Sequence, residues 1–215
     1  MSLTTSRNQL LKIATSLVKT HGFTREALSH SVLLLPAGKS HSEPLADHAI
    51  SALFGVGDRA RVVLINAWLD EGLKSMRSVS SPTVQTVLKA RLDYNRGVLE
   101  HLPQAFAILA SPEQGLPPVD PRPALKHAAK IADEACHITG DTSLHLAWYS
   151  KRASLAMVYS AAELHQLTSP DTAHGFLDSL LSSSAVLNSS LGEVQLFSSY
   201  LYKSWGGILK SKSFL

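Results

Sequence analysis

Few side chains in this chain stand at spacings that chemistry can use. Glu134-Ala135-Cys136-His137 is a Glu-x-x-His, which puts a carboxylate and an imidazole on one helix face as di-iron bundles require. Such a centre needs a second copy and two further glutamates, and Glu163-Leu164-His165 has the wrong spacing to supply the copy. With ten histidines in the chain, one chance occurrence is expected. Cys136 and His137 are neighbours, so on a helix they point about 100° apart and make poor partners for a thiolate mechanism. A buried structural cysteine is the better reading. Ser182-Ser183-Ser184 has no nucleophile-elbow context, and Gly55-Val56-Gly57 suits a helix-start turn, not a phosphate loop. No catalytic, cofactor or metal site is expected, and the chain does not read as an enzyme.

The stretch Gly140 to Leu164 offers a different chemistry. Trp148-Tyr149-Ser150-Lys151-Arg152 gathers two aromatics and two cations, following the turn residues Gly140-Asp141-Thr142-Ser143. Trp148, Arg152, Leu155, Tyr159 and Ala162 recur at steps of four and three, so they share one helix face. The spacing predicts a helix from Thr142, capped by the small side-chain oxygens before it and stopped by Pro170. Its Trp and Arg either pack in a core or anchor an interface, for which Trp, Tyr and Arg are the favoured types.

The elements that must position this stretch are helical throughout. Leu10, Leu11, Ala14, Leu17, Val18 and His21 form a helix face that ends at Gly22, and Thr24 suits an N-cap for the next helix. Residues 35–43 read as a loop, followed by a helix from Pro44 to Phe54 that carries no Lys or Arg. Helices are also expected over 58–77, 84–100, 124–137 and 172–187, with a short one begun by Pro103. Ser78 to Pro82 is a Ser-rich break, and the segment 111–123 is a proline-rich loop. Beyond Leu191, Val194, Phe197, Leu201, Trp205 and Ile208 make an apolar stripe, with Lys203 and Lys210 nearby; this suits a membrane surface or a face packed on the body.

Gly140-Asp141, then Trp148-Tyr149-x-Lys151-Arg152-Ala153-x-Leu155-Ala156-x-x-Tyr159-x-x-x-Glu163-Leu164, then Ser169-Pro170-Asp171 resembles the ubiquinone-biosynthesis accessory lipid-binding family called Coq nine. The resemblance extends from Leu10 to the C-terminus and weakens between Leu35 and Ala49 and around the proline-rich loop. It implies an all-α fold like that of TetR-family regulators, with a degenerate helix-turn-helix over 1–78, a lipid-binding bundle over 79–190 and an amphipathic membrane-associating helix over 191–215. It further implies a factor that holds an isoprenoid lipid, ubiquinone precursor or phospholipid and presents it to the demethoxyubiquinone di-iron hydroxylase. Gly140, Asp141, Trp148, Tyr149 and Arg152 would dock that hydroxylase, and Phe197, Leu201, Lys203, Trp205, Ile208 and Lys210 would touch the membrane. A homodimer, peripheral on the matrix side of the mitochondrial inner membrane, is the expected setting. Its presequence is expected to lie outside this sequence, which opens with Arg7 and Lys12 as its only early cations.

Bulk properties agree with lipid handling and choose no partner. The chain is 45% hydrophobic and 17% charged, without an apolar run long enough to span a bilayer. The apolar excess calls for a cavity, expected between the helices from Val84 to Leu187, or for an interface. A net charge of +3 is compatible with anionic partners and selects none. One cysteine excludes an internal disulfide. The opposed class is a TetR-type transcriptional regulator. A cation-free helix in the recognition position would read phosphates and guanine edges poorly, so no nucleic-acid partner is expected.

Overall fold

The computed structural model describes residues 3–36, 38, 41–111 and 119–187, and these residues form helices and turns without a strand. The helices are α1 (Leu3–His21), α2 (Arg25–His30), α3 (Asp47–Phe54), α4 (Asp58–Met76), α5 (Val84–Asn95), α6 (Leu102–Ala110), α7 (Arg122–Ile138), α8 (His145–Thr168) and α9 (Ala173–Leu187). The fold class is all-α.

The described residues divide into two compact units. One contains the chain up to Glu71 together with Glu100–Leu109; the other contains Gly72–Leu99 and the chain from Ala110 onward. The expected boundary at Ser78 therefore moves into α4. Glu100–Leu109, assigned to the second domain from sequence, belongs with the first, where it supplies the buried Leu102, Ala105 and Phe106.

Local chemistry sets the first unit. Gly22 takes a left-handed φ of +64° after α1, and Thr24 accepts the Ala27 N–H to cap α2. Arg25 then fastens α3 and the turn after it, donating to Asp47 Oδ1 at 2.7 Å, Ser51 Oγ at 2.8 Å and the main-chain oxygens of Gly55 and Gly57. Thus α3, whose sequence carries no cation, has its first acidic residue paired with a cation from α2.

The second unit is a bundle of α5, α7, α8 and α9. A reciprocal capping box starts α5: Thr83 accepts the Thr86 N–H, and Thr86 accepts the Thr83 N–H. Along α7 the buried positions His127, Ala128, Ile131, Ala132, Ala135 and Cys136 follow the helical period. Of these, Ile131, Ala132, Ala135 and Cys136 meet Leu88 and Leu92 of α5, Leu155, Val158 and Tyr159 of α8 and Leu177 of α9 in one buried core. Among the described residues, this interior is occupied by the protein's own side chains. Tyr159, Ile131 and Arg91 are among its largest fully buried side chains. An open depression of about 680 Å³ lies along residues 41–46 of the first unit.

Candidate functional site

Two constellations occupy opposite ends of α8. The inner one begins with a packing choice on α5, where Arg91 and Asn95 stand on the buried face beside Val87, Leu88 and Leu92. Both polar side chains are fully buried. Arg91 Nη1 donates to Asn95 Oδ1; Asn95 Nδ2 in turn donates to Glu163 Oε1 at 3.0 Å and Gln166 Oε1 at 3.1 Å. Tyr159 donates its hydroxyl to Glu163 Oε1 at 2.8 Å, and His127 Nε2 lies 3.3 Å from Glu163 Oε2. Gln166 donates to the Leu92 main-chain oxygen at 2.8 Å, so α8 is also tied to the α5 backbone.

Gly72 makes room for this network. A β-carbon there would stand 2.9 Å from Arg91 Cζ and 3.0 Å from Tyr94 Cδ1. Burial alone would raise the Glu163 carboxyl, but the His127 imidazole, the Arg91 charge and the Asn95 amide outweigh it and hold the group at about 2. Burial pushes the Tyr159 phenol well above its ordinary range, which keeps it a hydroxyl donor. The constellation joins three helices through ionic and polar contacts; its carboxylate oxygens are already spoken for by protein donors.

The outer constellation is built where α7 ends and α8 begins. Gly140 adopts φ +67° past the end of α7, and Asp141 N–H closes on the Cys136 oxygen at 2.9 Å. This turn seats the Asp141 side chain, only 4% exposed, beneath the first turns of α8. Its carboxylate accepts from Lys151 Nζ at 2.6 Å, Ser143 Oγ at 2.6 Å and Arg152 Nη1 at 3.0 Å. Lys151 first, then Ser143, holds the Asp141 carboxyl well below the ordinary carboxylate range. Arg152 also donates to Asp133 Oδ1 at 2.7 Å on α7, and its guanidinium carbon lies 3.9 Å from the centre of the Trp148 ring.

The expected start of α8 at Thr142 is corrected to His145, and Leu144 at the N-cap makes no side-chain capping bond. The reason is local: the Ser143 hydroxyl is spent on Asp141 and leaves the helix end uncapped. Every residue from Leu144 to Lys151 is exposed. Leu144, Leu146 and Tyr149 are 72%, 81% and 68% exposed, while Trp148 is 37% exposed with its ring edge-on to Tyr149 at 4.8 Å.

All five residues expected to dock a partner thus lie at one end of the bundle, but in two layers. Asp141 and Arg152 are locked into the scaffold with Gly140 shaping the turn; Trp148 and Tyr149 stand outside it. Sequence reading passed over Leu144 and Leu146, whose apolar character just after the turn was the available signal. Arg91 and Asn95 lie within the helix expected over 84–100, and the partners of Asn95 on α8 are far away in sequence. Phe197, Leu201, Lys203, Trp205, Ile208 and Lys210 lie outside the described residues.

Other candidates resolve into structural roles. Glu134 receives two hydrogen bonds from Arg77, and its helix neighbour Cys136 is buried, with burial raising its thiol.

The family model that matches is COQ9, over residues 122–184, which takes in the α7 and α8 residues of both constellations. The chain is similar to proteins named COQ9. The "Ubiquinone biosynthesis protein coq9, mitochondrial" of Schizosaccharomyces pombe is 30% identical over 137 residues, covering 62% of this chain and 52% of that protein. The COQ9 protein of Drosophila melanogaster is 26% identical over 196 residues, covering 88% of this chain and 58% of its own length. That of Bos taurus is 26% identical over 173 residues, with 77% and 52% covered. The chain spans about half the length of the curated COQ9 relatives it matches.

Proposed function

We propose that this chain is a non-enzymatic, lipid-binding factor of mitochondrial ubiquinone biosynthesis that presents a polyprenylated precursor to the demethoxyubiquinone hydroxylase. The observation that carries the reading is the outer end of α8, where Leu144, Leu146, Trp148 and Tyr149 project from a turn fixed by Asp141 and Arg152. Rigid aromatic anchors on a locked scaffold are the make-up of an interface hot spot, because little side-chain freedom is lost on binding. The names of the COQ9 relatives supply the pathway.

The lipid half of the proposal follows from the substrate's physics. A long isoprenoid tail has a large unfavourable hydration free energy, so a protein that hands it over must shield it from water. We assign that shelter to the helices from Val84 to Leu187. The stripe of Phe197, Leu201, Trp205 and Ile208 with Lys203 and Lys210 is our assignment for contact with the inner membrane on its matrix side. No described helix is long and apolar enough to cross a membrane.

The test is a reconstitution. Purified chain is extracted with organic solvent and the extract analysed for isoprenoid and phospholipid. The hydroxylase is then assayed in liposomes carrying demethoxyubiquinone, with and without the chain. Recovered lipid and faster hydroxylation on adding the chain are the expected results. Lipid-free protein that leaves turnover unchanged would refute the proposal.

A further inference from the structure

The first unit holds a cluster of metal-ligating side chains that the ubiquinone reading does not use. His21 closes α1, Glu26 stands in the first turn of α2, and His30 ends that helix. The left-handed Gly22 and the Thr24 cap reverse the chain between them. The turn is backed by His101, whose Nδ1 would lie 3.1 Å from a β-carbon at Gly22. As a result His21 Nδ1 lies 3.6 Å and His30 Nδ1 4.0 Å from the same Glu26 oxygen. One donor atom from each of the three residues lies within 4.8 Å of the other two.

We propose that His21, Glu26 and His30 bind a divalent transition-metal ion of the zinc(II) or copper(II) class, with solvent completing its shell. The donor set selects the class: two imidazoles and one carboxylate suit these borderline ions, whereas magnesium and calcium take oxygen ligands. Zinc bonds of about 2.0–2.2 Å in a tetrahedral shell place donors roughly 3.3 Å apart. The 3.6 and 4.0 Å spacings need only a small contraction, and the widest separation closes by turning one ring. The two imidazoles are stacked at 4.8 Å and partly exposed, and the Glu26 carboxylate, 62% exposed, can swing toward them.

His30 Nδ1 also lies 3.2 Å from the Glu26 main-chain oxygen, a contact it would exchange for the ion. With three protein ligands the site is open, and a bound ion would tie the end of α1 to α2. It would stabilise the folded chain by mass action.

The experiment is calorimetric titration of zinc chloride into the whole chain, with magnesium chloride as control. It is run beside His21→Gln, His30→Gln and Glu26→Gln, and beside His41→Gln and His48→Gln, which change exposed histidines outside the cluster. We expect one zinc site, no magnesium binding, and affinity lowered by about tenfold or more in either cluster histidine variant. Glu26→Gln should weaken zinc less, and the two control variants should bind as the parent does. Zinc should raise the thermal midpoint of the parent but not of His21→Gln or His30→Gln.

Should a variant fail to fold, ring resonances of the parent are followed during the zinc titration. The proposal requires those of His21 and His30 to move first. Undiminished zinc affinity in both histidine variants would overturn it, as would ring shifts confined to other histidines or no zinc uptake by the folded parent.

Discussion

The two ends of α8 use the same residue types to opposite effect. Near its start, Arg152 and Lys151 neutralise Asp141 sideways against the scaffold, leaving Trp148 and Tyr149 uncovered. Fifteen residues on, about 22 Å along the helix, Glu163 draws Asn95, Tyr159 and His127 inward, and the aromatic hydroxyl is part of the core. Burial makes the difference. A desolvated carboxylate must be surrounded by donors, whereas an exposed aromatic keeps its face for another molecule. One end should therefore govern stability and the other recognition, and perturbing each should leave the other property nearly untouched.

The largest expected effect is at the inner end. Glu163→Ala removes the buried carboxylate that accepts from Asn95 and Tyr159 and faces His127, and removing one partner of a buried charged network costs about 3–5 kcal/mol. The urea midpoint should fall accordingly, and an unchanged midpoint would show that the network does not hold the helices together.

Acid provides a milder perturbation of the same group. The Glu163 carboxyl is depressed from 4.5 to about 2, so its contribution is complete above the unfolded value and disappears as pH falls through the folded one. That shift corresponds to roughly 3 kcal/mol. Denaturant titrations from about pH 6 to about pH 3 should show falling stability in the parent and a flatter profile in Glu163→Gln.

A smaller effect is expected at Gly72, where Ala would press on an Arg91 side chain that Asn95 and the core hold in place. Overpacking of about 1–3 kcal/mol exceeds the roughly 1 kcal/mol that Ala gains over Gly in a helix, so Gly72→Ala should be net destabilising. Least affected should be Trp148→Lys, which gives up a cation–π contact with Arg152 worth about 0.5–1 kcal/mol at an exposed site.

The legible parts of the molecule were those decided by near neighbours. Gly22 and Thr24 announced the end of α1 and the start of α2, and Pro170 the end of α8, because turn and cap chemistry acts within a few residues. The grouping of Gly140, Asp141, Trp148, Tyr149 and Arg152 was legible through the quoted motif, although their division into locked and exposed layers was not. Asp141 captures Lys151 and Arg152 only once the turn is folded, ten and eleven residues apart in sequence. The inner network was harder still, since Asn95 meets Glu163 and Gln166 across 68 and 71 residues.

The central claim is most directly tested by measuring hydroxylase affinity and thermal midpoint together for the parent, Trp148→Lys and Glu163→Gln. The account predicts that Trp148→Lys loses the hydroxylase while melting within a few degrees of the parent. Folded Glu163→Gln, measured below its lowered midpoint, should bind the hydroxylase as the parent does. Parent-like hydroxylase affinity in Trp148→Lys would contradict the assignment of the outer end of α8 as the docking surface.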